Sequence, residues 1–219
     1  FAKFFIVTSI LLFVFVIFFS YYGLSRGTNL KPQNLHFKVY VINDALSEKE
    51  ALDALDYSKN LWGNYNISII FDETSRRKIN LSSEETAFLF NNGLNEEECI
   101  NYSEIINKII DNSSDLSIIL LDNNNSKHAG RGCLCNCSFA LISPEKLWIF
   151  DFTGWNVAHE IGHVLGLTDV QYYGRTKENL MNDETKKLFL FNSNFLNQNQ
   201  VDTIVNKSKS LNYNLPSNN

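Results

Sequence analysis

Basic residues are in short supply. The 219-residue chain has 19 Lys and Arg against 24 Asp and Glu, a formal charge of −5. That balance gives no basic face or stripe for nucleic acid and no polybasic segment for an anionic lipid surface. Methionine is rarer still, with Met181 alone in the chain. Cysteine is limited to Cys99, Cys133, Cys135 and Cys137. No internal repeat is visible, so a stacked-repeat architecture is excluded. Apolar residues are plentiful: a hydrophobic content of 44% excludes a wholly disordered chain. The length allows one ordinary globular domain with residues to spare.

Those apolar residues are unevenly spread. Seven of the 17 Phe lie in the first 19 residues. Residues 4–25 contain no charge, between Lys3 and Arg26. An uncharged stretch of that length reads as a transmembrane helix, which needs about 20 residues to cross the bilayer core. The rival reading is a cleaved signal peptide, with Gly23-Leu24-Ser25 a poor match to the small-residue cleavage site. We expect a signal anchor over 1–25, which leaves the following domain membrane-anchored and extracytoplasmic, or secreted if the segment is cleaved. The flanking charges do not decide orientation. The first residue is Phe rather than Met, so the natural start is expected upstream.

The cysteines agree with export. Four allow three full pairings. If 132–138 is a strand, Cys133, Cys135 and Cys137 point to one face. Two of these bonded to each other would be strained, so a single bridge from Cys99 to the cluster is the plainer expectation. A cysteine-rich metal clip is the alternative.

Residues 26–35 read as a polar linker, 36–206 as the folded domain and 207–219 as a polar tail. The β-branched alternation of 36–43 predicts a strand. The spacing of Ala51, Leu52, Leu55 and Leu61 predicts an amphipathic helix over 46–62, ended by Gly63. A second strand is expected over 66–72, parallel to the first across a right-handed crossover. The acidic stretch 73–115, with Glu96, Glu97 and Glu98 and short helices, reads as an insertion or surface loop region. Residues 116–121 are almost continuously apolar and predict a central strand. Further expected elements are a strand over 137–143, a short apolar segment over 147–152, and helices over 186–191 and 198–205.

The most informative residues are His159-Glu160-Ile161-Gly162-His163, followed by Gly166 and Asp169. Two His four apart on a helix lie one turn apart on one face, where both rings can meet one ion. Glu160 lies about 100° round the helix, beside the open side of that ion. A carboxylate there can take a proton from metal-bound water. Val157, Ala158, Ile161, Val164 and Leu165 fall on the opposite arc, so the helix buries its back and shows the histidines to a cleft. Thr153 or Asn156 is expected to cap its start. Gly166 suits a left-handed C-terminal cap, after which Asp169 can return as third ligand. The pattern is rare by chance in a chain with only four His.

His159–Asp169 resembles the extended zinc-binding motif of the metzincin metalloendopeptidases, with Asp where most members have a third His. That Asp resembles the snapalysin branch, and the text from His159 to Leu167 is closer to the matrixins. Asn179-Leu180-Met181-Asn182 resembles the Met-containing turn of the family, and many members carry a Tyr where this chain has Asp183. Tyr172 and Tyr173 are nearer in sequence to Asp169. The resemblance implies an α+β, metzincin-like zincin domain, a mixed twisted sheet with an active-site helix. It implies zinc held by His159, His163 and Asp169, with a fourth position for water. It implies hydrolysis of internal peptide bonds with Glu160 as general base, on a protein or peptide substrate. The substrate would lie along an edge strand, which we place within 133–143, after His128. Two other readings stay open. One is a zinc peptidase with a Glu third ligand, Glu178 or Glu184. The other is a non-catalytic, membrane-anchored binding module on a protease fold. Oligomeric state is not legible.

Overall fold

The computed structural model describes residues 33–90, 96–111, 116–123, 130–131, 138–144, 146–147, 150–170, 179–182 and 195–213. Segment 1–25, His128, Cys133, Cys135, Cys137, Tyr172, Tyr173, Glu178, Asp183, Glu184 and the expected helix 186–191 lie outside them. Among the described residues no helix is long and apolar enough to cross a membrane.

The domain is built on a five-stranded sheet, with order β2-β1-β3-β5-β4. β1 (Gln33–Ile42) pairs in parallel with β2 (Ile67–Arg77) on one side and β3 (Ser117–Leu121) on the other. β3 pairs in parallel with β5 (Phe139–Ile142), and β4 (Gly130–Arg131) closes the order antiparallel to β5. Every residue of β3 and β5 is buried. That is the burial expected of parallel strands covered on both faces. The sheet is therefore mixed, as expected, with its one antiparallel strand at the margin. β5 carries the described part of the segment we expected at the edge, and it is interior; β4 takes the edge instead. The reason is visible in Phe139–Ile142, which is apolar throughout and needs cover on both sides.

The crossover between β1 and β2 is α1 (Glu48–Gly63). It starts on a capping box: Glu50 N donates to Ser47 Oγ, and Ser47 N donates to Glu50 Oε2 at 2.9 Å. Its buried stripe is Ala51, Ala54, Leu55, Ser58, Leu61 and Trp62.

The acidic stretch 73–115 departs from expectation. β2 runs on to Arg77, then α2 (Ser83–Leu89) and α3 (Glu96–Asn107) follow. Leu89, Phe90, Tyr102, Ile106, Ile109 and Ile110 join Tyr40, Ile42, Ile119, Leu121, Phe139 and Leu141 in one buried cluster. Tyr102 stacks on Phe139 with ring centroids 5.7 Å apart. Arg77 pins the return: it donates to Ile109 O at 2.8 Å, pairs with Asp111, and lies over the Tyr40 ring. The region is the second layer of the core rather than a surface loop. Its charges hid this. Glu84 and Glu85 lie in the first turn of α2 and complement its dipole, with Ser82 and Glu85 forming a second capping box.

A short antiparallel pair, β6 (Lys146–Leu147) with β7 (Phe150–Asp151), leads into α4 (Thr153–Val164). The last helix, α5, runs Gln198–Tyr213. It passes well beyond 205, so the expected polar tail is helical as far as Tyr213. Ser208 is buried there and its hydroxyl donates to Val205 O at 3.0 Å, a small polar side chain satisfied within the helix.

If α2 and α3 belong to the core, Ile106→Ala, at a fully buried site, should cost about 2–5 kcal/mol in urea unfolding. A change within about 0.5 kcal/mol, typical of surface positions, would return the segment to the periphery.

Candidate metal centre

α4 is buried on most of its surface, including Val157, Ala158, Ile161 and Val164. The expected cap is not made. Phe152 is the N-cap residue without a side-chain bond, and Thr153 and Asn156 are buried inside the first turn. The C-terminal end does follow expectation. Gly166 has φ +86°, Gly166 N donates to His163 O and Leu167 N donates to Gly162 O, each at 2.9 Å. These two bonds form a Schellman cap and reverse the chain.

That reversal does more than end the helix. It brings Leu167 O to 2.9 Å from His163 Nδ1. His159 Nδ1 lies 2.8 Å from Leu180 O. A carbonyl oxygen can only accept, so both Nδ1 atoms carry hydrogen and both Nε2 atoms face away from the backbone. They face Asp169. Its Oδ1 is 3.2 Å from His159 Nε2 and 3.3 Å from His163 Nε2. The two rings stand nearly edge to face, centroids 4.9 Å apart, and Trp155 covers the outer face of His159 at 5.0 Å. Donor atoms of His159, Glu160 and His163 lie within 4.8 Å of one another. Glu160 is 5% exposed, whereas the Asp169 side chain is half exposed.

The structure thus brings His159, Glu160, His163 and Asp169 together. Met181 is fully buried and packs against α4 at Gly162. A Cβ on Gly162 would fall 2.5 Å from Met181 Sδ, so the helix is bare where Met181 presses on it. Cys99 is in α3, and its three possible partners are outside the described residues.

Sequence reasoning missed several contributors. The carbonyls of Leu167 and Leu180 leave no residue signature. Gly130, on edge strand β4, abuts Glu160: a Cβ there would come within 2.3 Å of Oε1. The turn 179–182 is held by Asn179 and Gln200, whose amides give no signal without a known partner.

Charge in the cluster is strongly coupled. Burial works against a charged His163, but its hydrogen bond to Asp169, the charges of Glu160 and Asp169, and the Leu167 carbonyl overcome it. The ring is raised from 6.5 to about 9. Burial pushes the Asp169 carboxyl up, and the hydrogen bonds and charges of His159 and His163 outweigh this, holding it well below the usual carboxylate range.

No family model matches the chain, and no curated protein matches it. Among solved structures it is similar to the crystal structure of metalloproteinase-II from Bacteroides fragilis, with 17% identity and a TM-score of 0.47. That match covers 82% of this chain and 55% of the other, so the chain spans little more than half the length of that protein.

The donor set suits zinc: two imidazole nitrogens and a carboxylate oxygen, each ring fixed by a carbonyl behind it. A metal ion must displace the proton that His163 carries below about pH 9. Apparent zinc affinity should therefore rise about tenfold per pH unit towards 9 and then level off, read by chelator competition; a flat profile would contradict the site. The sign for the metal-free chain is opposite. A folded-state value raised from 6.5 to about 9 stabilises fully below 6.5 and is lost as pH rises through 9, so the urea midpoint should fall across that window.

Proposed function

We propose that the chain is a zinc-dependent metalloendopeptidase hydrolysing internal peptide bonds. The observation that carries this is the convergence of two carbonyl-fixed Nε2 atoms on Asp169 Oδ1, at 3.2 and 3.3 Å, beside buried Glu160. His159, His163 and Asp169 would hold the ion, and a zinc ion so held supplies an acidified water and a Lewis acid for a carbonyl oxygen.

The remaining work belongs to the chain. Glu160 accepts the water proton and returns it to the leaving amine. Its burial by β4 removes competing solvent from the carboxylate. β4 is one edge of the sheet, the other being β2, and Gly130 of β4 abuts Glu160. An extended peptide adding to that edge would pass directly by the general base, with backbone hydrogen bonds setting its register. Asp169 offsets one positive charge of the ion and is the most exposed of the three donors. The domain is proposed to be tethered by a signal anchor over 1–25 on the extracytoplasmic side of a membrane, or secreted after cleavage. One disulfide from Cys99 to the 133–137 cluster would suit that compartment.

The test is digestion of an unfolded casein by the zinc-loaded full chain. Glu160→Gln should keep its zinc and lose at least about 100-fold in kcat/KM. Asp169→Ala should lose zinc. Zinc-loaded wild type that leaves casein intact, or Glu160→Gln with wild-type activity, would refute the assignment. Gly130→Ala probes the edge strand. The added methyl would crowd Oε1, Cδ and Cγ of Glu160, so that side chain must shift as a whole; the three zinc donors are other residues, so zinc should be kept while activity falls about 10- to 100-fold.

A further inference from the structure

The turn 179–182 supports the site through its backbone as well as through Met181, and two donors depend on it. Leu180 O accepts from His159 Nδ1 at 2.8 Å, and Met181 O accepts from Val170 N, the residue after Asp169, at 2.7 Å. Its backbone bonds both outward and within: Leu180 N donates to Phe195 O at 2.9 Å, and Asn182 N to Asn179 O at 3.2 Å. A pair of buried amides ties it to α5. Asn179 Nδ2 donates to Gln200 Oε1 at 2.7 Å, and Gln200 Nε2 donates back to Asn179 Oδ1 at 3.2 Å. Each amide oxygen also takes a backbone N–H: Asn179 Oδ1 from Met181 at 2.9 Å, Gln200 Oε1 from Asn197 at 3.0 Å. Asn197 Oδ1 closes the circuit by accepting from Gln200 N at 3.0 Å.

The clasp has the features of a positioning device. Gln200 is in the first turn of α5, and that helix is seated by Ile204 and Val205 in the core. Reciprocal amide bonds satisfy both groups only in one mutual orientation. Both amides are buried, at 3% and 9% exposure, so the alternative to pairing is an unsatisfied polar group.

We propose that the buried Asn179–Gln200 amide pair is a positioning device for the metal centre, fixing the tautomer and direction of His159 through Leu180 O and the approach of Asp169 through Met181 O. The inference rests on the zinc reading of that centre. Neither side chain touches the donors, so both are positioning residues. Loss of the clasp loosens the turn, displaces the acceptor behind His159 and loosens the segment that carries Asp169.

The experiment compares wild-type full chain with Gln200→Met, which keeps length and packing but no amide. Ile204→Val, one turn along the same helix, is the control for simple destabilisation. Two quantities are measured on folded protein: zinc Kd by chelator competition, and the His159 tautomer in the zinc-loaded chain by ring 15N NMR. Gln200→Met should weaken zinc binding about 10- to 100-fold, as loss of a group supporting a ligand does. It should also shift His159 from the Nδ1–H form to a mixture. Ile204→Val should leave both unchanged. If Gln200→Met does not fold, Asn179→Ala takes its place with the same expectation. Wild-type Kd and tautomer in a folded clasp variant would overturn the inference alone. Failure of both variants to fold would also overturn it, since the pair would then specify the fold rather than aim the site. Absence of zinc binding by the wild-type chain would overturn the metal reading together with it.

Discussion

Two carbonyl oxygens govern the centre of this protein. Leu167 O and Leu180 O each accept from a histidine Nδ1, at 2.9 and 2.8 Å. A neutral imidazole presents one donor and one lone pair, so committing Nδ1 to a carbonyl leaves Nε2 as the basic atom. Without those bonds the helix would still place two rings on one face. It would not decide which nitrogen each ring offers, nor restrain rotation of the rings. The helix supplies proximity, and the carbonyls supply direction.

Both carbonyls belong to irregular backbone, and each is immobilised by a different means. Leu167 O is set by the Gly166 bend, where a φ of +86° and two cap bonds leave the chain a single course. An L side chain at that position would be strained. Leu180 O is set at long range, by a turn held on α5 and pressed from below by Met181 against the bare backbone at Gly162. The first support is local to the helix and forms with it. The second requires segments about twenty residues apart to have docked. A completed centre is therefore a property of the assembled domain, even though its most recognisable residues are consecutive.

That division explains what was legible in the sequence. The motif residues, the buried arc of α4, the left-handed Gly166 and the return of Asp169 follow from helical geometry over a dozen residues, and periodicity encodes such geometry. The parallel β1–α1–β2 start was legible for the same reason. The cap was misjudged because Thr153 and Asn156 have capping chemistry but face the core, where burial outweighs a local preference. Segment 73–115 was misread because its charge was weighed over the spacing of Tyr102, Ile105, Ile106, Ile109 and Ile110, which makes one apolar stripe. Within the segment expected at the edge, Phe139–Ile142 is interior; this was not legible because an apolar run and its neighbour cannot be ranked as interior or edge without the pairing order. Gly130 abuts Glu160 and Asn179 pairs with Gln200 across distances in sequence that no local pattern spans.

The distribution of burial across the donors has its own logic. His159 and Glu160 are almost wholly enclosed, His163 less so, and the Asp169 side chain is half exposed. Burying an unpaired carboxylate with the rest would be costly. Here Asp169 keeps solvent on one side and two imidazoles on the other, and their hydrogen bonds and charges hold it ionised against the desolvation it does suffer. The enclosed histidines are each held by a backbone carbonyl at Nδ1 and face that carboxylate at Nε2. The negative donor thus sits where water can support it before an ion arrives. The imidazole donors sit where the backbone can aim them, and the anchored part of the cage is the part that the core can hold.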